Sequence, residues 1–518
     1  MPDFLNVKIS KILSRLAEAK ELTGSNPFKV SAIRKASNVL ANLNDSIQLI
    51  DDYQKIPGIG PSIAKKISEI KKTGRLEELD ELDDKIPTAF WELSKIRGIG
   101  LGSMKKLFKE KIFSYERLKE NIFKNDLAFF SKSQNENIRR GIKFYENYKG
   151  KFLLPEGQNI FEQIQDKYRN INFRATGGLR RCDEILDCVE LIHVCDSDFN
   201  ISNLASIFKG RAQGQEVEFS HNGRLVKISI SRKNDFGKRW LETTSTKEHL
   251  DNLKLHEVES EEEIYKLNGY PYIPPELRIW SPLEFKKGVP RLLDVDDINL
   301  DMHMHTNWSD GFDSIDDMVC ASHAKGYSRI AITDHSKSAS YAGGLKEESL
   351  FEQLSYIKNK NWDMEVFAGT ECDILNDGSL DYDDSVLEKL DWVVASIHQN
   401  LNGDQTERIL KALENPHVNV LGHSTGRKLL TREGYYVDWD KVFPRLLEKD
   451  VALEINGNPE RLDVDSSIAK NASKAGVKLS LNTDAHSIKQ LDFMKMAVNQ
   501  ARRAGLDGSS VLNFNYQI

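Results

Sequence analysis

The strongest pattern in the chain is a series of six short apolar runs beyond residue 297. They read INLDMHMHT, RIAITDH, EVFAGTE, WVVASIH, VNVLGH and VKLSLNTDAH. Each has strand character, and each ends at or beside a histidine or carboxylate. Side chains leaving the ends of successive strands converge on one rim of an α/β barrel, where such folds build their sites. The residues so placed are His303, His305, Asp310, His335, Glu371, His398, His423, Asp484 and His486. In His303-x-His305 both imidazoles project to one face, because strand side chains alternate with period 2; Asp484-x-His486 repeats the spacing. Six histidines and three carboxylates exceed what one ion needs, so the pattern predicts a multinuclear cluster. His323, in a helix-like segment, and His417, beside Pro416, read as structural.

The first 150 residues carry a different pattern, with apolar residues at helical spacing (Ile63, Ile67, Ile70) following a glycine pair. Two segments are related: Lys55-Ile-Pro-Gly58-Ile-Gly60 running to Lys65 and Lys66, and Lys95-Ile-Arg-Gly98-Ile-Gly100 running to Lys105 and Lys106. Glycines permit a tight turn and close backbone approach, and the amides opening the next helix can then bind a phosphate oxygen. Charge changes the picture further. Residues 1–150 hold 28 Lys+Arg against 20 Asp+Glu, a balance of +8. The remainder holds 44 against 59, a balance of −15. A basic head on an acidic body suggests a polyanion-binding module attached to an enzyme whose carboxylates bind metal.

At 518 residues the chain predicts about three or four domains. Five cysteines without regular spacing point to reduced thiols rather than a disulfide framework. The opening MPDFLNVKIS has no basic-then-apolar signal, and no apolar run approaches a membrane span. The expectation is a cytoplasmic protein, a monomer, with no membrane partner.

The motifs DMHMHTNWSDG, AITDHS, GTECDIL, ASIHQ, LGHSTGR, LEINGNP and LNTDAHS, over about 297–518, resemble a PHP (polymerase and histidinol phosphatase) domain. The resemblance implies a distorted (β/α)7 barrel with a trinuclear metal centre that hydrolyses phosphoesters, all nine ligand positions being filled by the expected residue types. The resemblance implies three divalent ions, and mixed imidazole and carboxylate ligation suits Mn²⁺, Zn²⁺ or Fe²⁺ rather than Mg²⁺ alone. Clustered divalent ions acidify water and offset the charge that builds on a phosphoryl group. Arg427, four residues after His423, and Lys337, two after His335, are expected to approach the same rim and clamp phosphate oxygens.

The two glycine segments resemble helix-hairpin-helix motifs, which hold DNA by its backbone and read no sequence. With SNPFKVSAIRKASNVLANL matching a small first helical domain, the order of parts resembles bacterial family X DNA polymerases over nearly the whole chain. The implied class is multidomain α plus α/β. It comprises a first helical DNA-binding domain over 1–90 and a second hairpin over 91–150. A nucleotidyltransferase-like α+β palm and thumb follows over 151–285, then the PHP barrel over 286–518. Lys66 falls where related polymerases carry a Schiff-base lysine; a DNA-facing surface lysine is the reading favoured here.

The middle region departs from that family. Its polymerase site needs three carboxylates on adjacent strands, two as Asp-x-Asp shortly after a Gly-Ser-x-Arg-Arg turn. Here the turn is Gly177-Gly178-Leu179-Arg180-Arg181, and the carboxylate positions become Cys188, Glu190 and Lys227. Asp187 would face the other side of a strand, and Asp196-Ser197-Asp198 reads as a turn and N-cap before ISNLASIF. The segment Glu242 to Thr246 replaces an aromatic nucleotide-contact pattern, while Lys247-Glu248-His249 is retained. The proline-rich Asn268–Arg278 reads as a stiff extended spacer.

The function expected is a metal-dependent 3′→5′ exonuclease acting on gapped, nicked or abasic DNA in repair, with abasic-site cleavage and trimming of blocked 3′ ends behind it. Two alternatives stand beside it: an active family X polymerase with exonuclease, and a small-molecule phosphatase of the histidinol-phosphate type.

Overall fold

The computed structural model describes residues 4–41, 43, 46–195 and 201–513. The expected turn at Asp196-Ser197-Asp198 lies outside the described residues. The chain divides into two compact units, Met1–Lys149 and Gly150–Ile518.

The first unit is helical. Its core is built from the apolar stripes of Phe4–Leu22 and Pro27–Ala41, closed by Ile63, Ile67, Phe90, Leu107 and Ile138. Both hairpin segments are present, each entered from a 3₁₀ turn rather than an α-helix: Tyr53–Lys55 before Pro61–Thr73, and Thr88–Lys95 before Leu101–Lys109. The two glycines of each pair do different work. Gly58 (φ +89°) and Gly98 (φ +88°) make the left-handed turn that other residues resist. Gly60 and Gly100 are N-caps in extended backbone, with open space where a side chain would stand.

The second unit opens with a mixed sheet. Its strands are β1 (Phe173–Ala175), β2 (Val189–Cys195), β3 (Arg211–Gln213), β4 (Glu216–His221) and β5 (Arg224–Arg232), in the order β1-β2-β5-β4-β3. Only β2 and β5 run parallel, in a register that sets Glu190 opposite Lys227. Residues 270–280 are no extended spacer. Ile273, Leu277 and Arg278 are fully buried, and Pro275–Leu277 forms a 3₁₀ turn. The apolar residues between the prolines pack with Leu241, Ile264, Tyr265 and Phe285, so burial overrides the stiffness that proline alone implies.

The barrel has seven parallel strands: β6 (Leu300–Met304), β7 (Arg329–Ile332), β8 (Glu365–Asp373), β9 (Trp392–Ser396), β10 (Val420–Leu421), β11 (Ala452–Asn456) and β12 (Leu479–Asn482). A helix follows each strand, from Ile315–Ala324 to Met494–Ala504. The last strand returns to the first through main-chain bonds. The His305 amide donates to the Ala485 carbonyl at 2.8 Å, and the Asp484 amide to the His303 carbonyl at 3.0 Å. Closure therefore runs through four residues of the predicted ligand motifs. The expected (β/α)7 barrel is the observed one, with β10 reduced to two residues.

Mixed sheet and barrel share one packed unit. Leu429, Leu462 and Met496 of the barrel enter the core beneath Leu179 and Val189. Around them, Arg427 pairs with Glu184 at 2.7 Å, Gln500 donates to the same carboxylate, and Arg503 pairs with Asp183. A buried charged network braces the other side. Arg278 is fully buried and forks onto Glu261, which also takes both terminal nitrogens of Arg180 at 2.6 and 2.7 Å. Removing one partner strands a buried charge, which costs about 3–5 kcal/mol. Glu261→Ala is therefore expected to lower unfolding stability by about that much in urea titration; a loss below about 1 kcal/mol would show that the arginines are not charge-paired as described.

Candidate metal centre

Glu371, near the end of β8, is the hub of the barrel rim. Its carboxylate lies 2.8 Å from His423 Nε2, 2.9 Å from His335 Nδ1 and 3.3 Å from His398 Nε2. His303 Nε2 and His305 Nε2 stand at 3.5 and 3.6 Å. Asp484 reaches His305 at 3.2 Å and His303 at 3.8 Å, while Asp310 reaches His486 at 3.4 Å and His335 at 3.6 Å. The donor atoms of eight of these residues form three overlapping groups, each within 4.8 Å: His305, Asp310, His335, His486; His303, His305, Asp484; His335, Glu371, His398. His423 joins them through Glu371. The nine residues predicted from the strand ends are thus brought together, on six strands and the loops that follow them.

Their donor atoms are aimed at each other without bonding each other. His303 Nε2, His305 Nε2, His335 Nδ1, both oxygens of Glu371 and both ring nitrogens of His423 are buried and lack a hydrogen bond. These atoms meet as charge pairs without a well-formed hydrogen bond, which leaves their lone pairs unsatisfied in a buried place. Lone pairs converging from imidazole and carboxylate suit divalent cations. Two of the donors are held in unusual backbone: His423 at φ +20° and Asp484 at φ +54°, local strain of the kind that gathers at functional sites.

Electrostatics follow from the crowding. Burial pushes the Glu371 carboxyl up, but His398, His303 and His335 outweigh it and hold it well below the usual carboxylate range. Burial likewise opposes protonation of His303, yet Glu454, Glu371 and Asp484 raise its pKa well above 6.5. Against burial, Glu371 and then Asp373 lift His398 to about 10, and Asp310 and Asp484 lift His486 to about 9. His305 goes the other way. Burial, then His486 and His335, push it to about 3.

Several residues that complete the site were not among the nine. Glu454 on β11 accepts from His303 Nδ1 at 2.7 Å, from Asn482 at 2.9 Å and from the His423 amide at 2.7 Å. Asp373 accepts from His398 Nδ1. Such carboxylates fix the ring orientation and leave Nε2 for a metal. The signal was present: Glu371-x-Asp373 shares one strand face, and Glu454 interrupts an otherwise apolar strand. Behind the rim, Asp334 takes bonds from Thr306, Ser309 and Gln353, fixing the loop that carries Asp310.

The expected phosphate clamps are differently employed. Arg427 is turned away from the rim onto Glu184 and the Leu462 carbonyl, because a carboxylate and a carbonyl at the sheet–barrel boundary satisfy it there. Lys337 pairs with Glu347 at 3.0 Å. The cations that line the cavity over the cluster, about 400 Å³ in volume, are Lys428 and Arg461, the latter 3.7 Å from Asp484. In the first unit Lys66 pairs with Glu78, Lys105 with Glu21 at 2.8 Å, and Lys106 donates to the Phe129 carbonyl, while Lys65 is exposed. His323 and His417 lie outside the cluster. In the mixed sheet, Cys188 sits in the bend before β2, and Glu190 accepts from the Gly178 amide at 3.2 Å. Lys227 pairs with Glu218 at 3.0 Å, and Asp187 is exposed, paired with Lys151.

Fold and cluster define a metal-dependent hydrolase barrel, and residues 301–455 match the family model of the PHP domain. Residues 5–76 match the helix-hairpin-helix domain. The chain is 34% identical to the DNA polymerase/3′-5′ exonuclease PolX of Bacillus subtilis, over 98% of this chain and 96% of that protein. It is also 30% identical to a probable phosphatase of Thermoanaerobacter, over 41% of this chain and 89% of that protein, and 35% identical to one from Clostridium acetobutylicum over 26% and 58%. The chain belongs to the bacterial family X DNA polymerases that carry a C-terminal PHP domain.

Metal binding must displace protons from imidazoles that the surrounding carboxylates keep charged. His398 and His486 have raised values, about 10 and 9, so their ion pairs stabilise the metal-free fold fully below 6.5 and are lost as pH passes those values. Apparent Mn²⁺ affinity is therefore expected to rise as pH is raised from about 6 towards 9, with proton release visible as a calorimetric enthalpy that scales with buffer ionisation. An affinity independent of pH across that range would contradict this charge assignment.

Proposed function

We propose that this chain is a DNA phosphodiesterase whose PHP cluster removes nucleotides in the 3′→5′ direction, on a polymerase scaffold that has lost nucleotidyl transfer. The observation carrying this reading is the convergence of nine ligand-type side chains, Glu371 among them, with buried donor atoms that lack hydrogen bonds. That cluster belongs to a chain whose first unit matches a helix-hairpin-helix model. The metal ligands are assigned as His303, His305, Asp310, His335, Glu371, His398, His423, Asp484 and His486, holding three divalent ions of Mn²⁺, Zn²⁺ or Fe²⁺. When bound, such ions acidify water and offset charge on the phosphoryl group. The chain's own residues do the rest. Glu454 and Asp373 keep His303 and His398 in the tautomer that leaves Nε2 free. Arg461 and Lys428, rather than Arg427 and Lys337, meet the non-bridging oxygens. Water adds to phosphorus, the bond to the departing 3′ oxygen breaks, and a nucleoside monophosphate leaves.

The first unit would grip the DNA backbone through the amides after Gly58 and Gly98, without reading sequence. Residues 151–285 are assigned as palm and thumb. Two features support an inert palm: Glu190 is occupied by the Gly178 amide, and Lys227 stands beside it with a positive charge. Among the described residues, the groups able to hold a metal ion all lie in the barrel. Repair of gapped, nicked or abasic DNA is the setting this combination fits.

Replacing a ligand should separate binding from cleavage. His303→Ala or Asp310→Asn is expected to cut 3′ nucleotide release by ~100-fold or more, while DNA affinity by fluorescence anisotropy changes less than about two-fold. Cleavage persisting in both variants would overturn the assignment of the reaction to this cluster.

A further inference from the structure

A single exposed aromatic side chain is ordinary, whereas exposed rings gathered in one groove mark a binding surface. Among the described residues, four are more than 60% exposed: Phe28, Phe312, Tyr341 and Tyr436. Two of these, Phe312 (67%) and Tyr341 (68%), line the same cavity, the one over the metal cluster. Their backbones are fixed while their rings remain mostly exposed. The Phe312 amide donates to the His486 carbonyl at 2.8 Å. Gly311, just before it, packs so tightly on Thr306 that a β-carbon would meet its backbone at 2.6 Å. Tyr341 sits in a 3₁₀ turn, Ser340–Ala342, that Gly343 (φ +69°) ends against the Ser309 carbonyl. The Phe312 and Tyr341 turns both lie beside the segment that carries Asp310, since a β-carbon added at Gly343 would stand 3.4 Å from the Ser309 carbonyl. The Tyr341 ring centre lies 6.4 Å from that of His335 and 6.5 Å from that of His398, within reach of a nucleotide whose phosphate is at the ligands.

We propose that Phe312 and Tyr341 form a nucleobase subsite, stacking on the base of the 3′-terminal nucleotide whose phosphodiester is presented to the cluster. The inference rests on the phosphodiesterase reading for its catalytic consequence, though not for binding. Rigid aromatic platforms beside cationic side chains are how single strands are held without sequence preference, since every base has a π face. Lys428 and Arg461 provide the cations in this cavity. The arrangement makes the two rings specificity-determining: they reward a 3′ residue that carries a base free to leave its partner strand, and give nothing to one that lacks a base.

The test uses the full chain with Mn²⁺ and a single-stranded oligonucleotide ending in either a normal nucleotide or a tetrahydrofuran abasic residue. For Phe312→Ala/Tyr341→Ala, KM for the base-bearing end should rise about ten-fold or more with kcat within about two-fold, and KM for the abasic end should not move. Phe312→Tyr and Tyr341→Phe should restore the wild-type KM. Equal changes on both ends, or none on either, would overturn the subsite. A second arm reads binding alone, with a 3′-terminal 2-aminopurine behind a phosphorothioate linkage. Quenching by the wild type and not by the double variant supports the subsite, whereas failure of the wild type to cleave the unmodified oligonucleotide of the first arm would sink the phosphodiesterase reading and leave the subsite standing. Equal quenching by both proteins overturns it.

Discussion

A carboxylate as deeply buried as Glu371 is tolerated only where opposite charge surrounds it, and the rest of the barrel is arranged to supply that charge. Five imidazoles stand within 3.6 Å of its oxygens, of which His398, His303 and His335 hold its carboxyl down, whereas burial keeps His305 near 3 and uncharged. Burial alone would drive the proton onto Glu371; the imidazoles reverse the outcome. In turn those imidazoles are oriented by Glu454 and Asp373 and crowded by Asp310 and Asp484. Closure of the barrel is part of the same arrangement, because the main-chain bonds that join the first and last strands run through His303, His305, Asp484 and Ala485. A fold that failed to close would also fail to assemble the ligands.

The mixed sheet enters this account as a brace. Arg427 leaves the loop that carries His423 and ends on Glu184, while its neighbour Lys428 lines the metal cavity. Gln500 and Arg503, from the helix after the last strand, reach Glu184 and Asp183. The turn Gly177 to Arg181 is thus built into the support of the hydrolytic site: Arg181 bonds Asp183, and Arg180 joins the buried Glu261–Arg278 pair. That use explains why a palm without nucleotidyl transfer would be kept. Deleting it would expose Leu429, Leu462 and Met496 and leave Arg427 without its carboxylate.

Much of the barrel was legible because its strands are short, apolar and terminated by chemistry. The period-2 placement of His303 and His305 and the strand-end histidines located the rim. What could not be read was which polar side chains face one another across it. Arg427 and Lys337 stand at plausible distances from ligands in sequence, yet carboxylates elsewhere in the fold claim them. The lone acid Glu454 marks a buried polar position in its strand, but the sequence does not say that an imidazole from another strand donates to it. The proline-rich stretch misled in the opposite sense. Its composition suggests an extended spacer, but Ile273, Leu277 and Arg278 each find a buried partner, and a tertiary core outweighs local stiffness. In the hairpins, the left-handed turn at Gly58 and Gly98 follows from the sequence, whereas Lys66 is claimed by Glu78 of the next helix and Lys105 by Glu21 of a helix remote in the chain.

In the proposed reading labour is divided, so that the barrel cuts and the palm does not extend. A 5′-labelled primer annealed to a gapped template, incubated with Mn²⁺ with and without deoxynucleoside triphosphates and resolved on a sequencing gel, tests both halves at once. The account predicts a ladder of shortened products in either case and no product longer than the primer. Extension, above all extension that survives His303→Ala, would mean that the palm recruits metal through residues other than Cys188, Glu190 and Lys227, and would contradict the account.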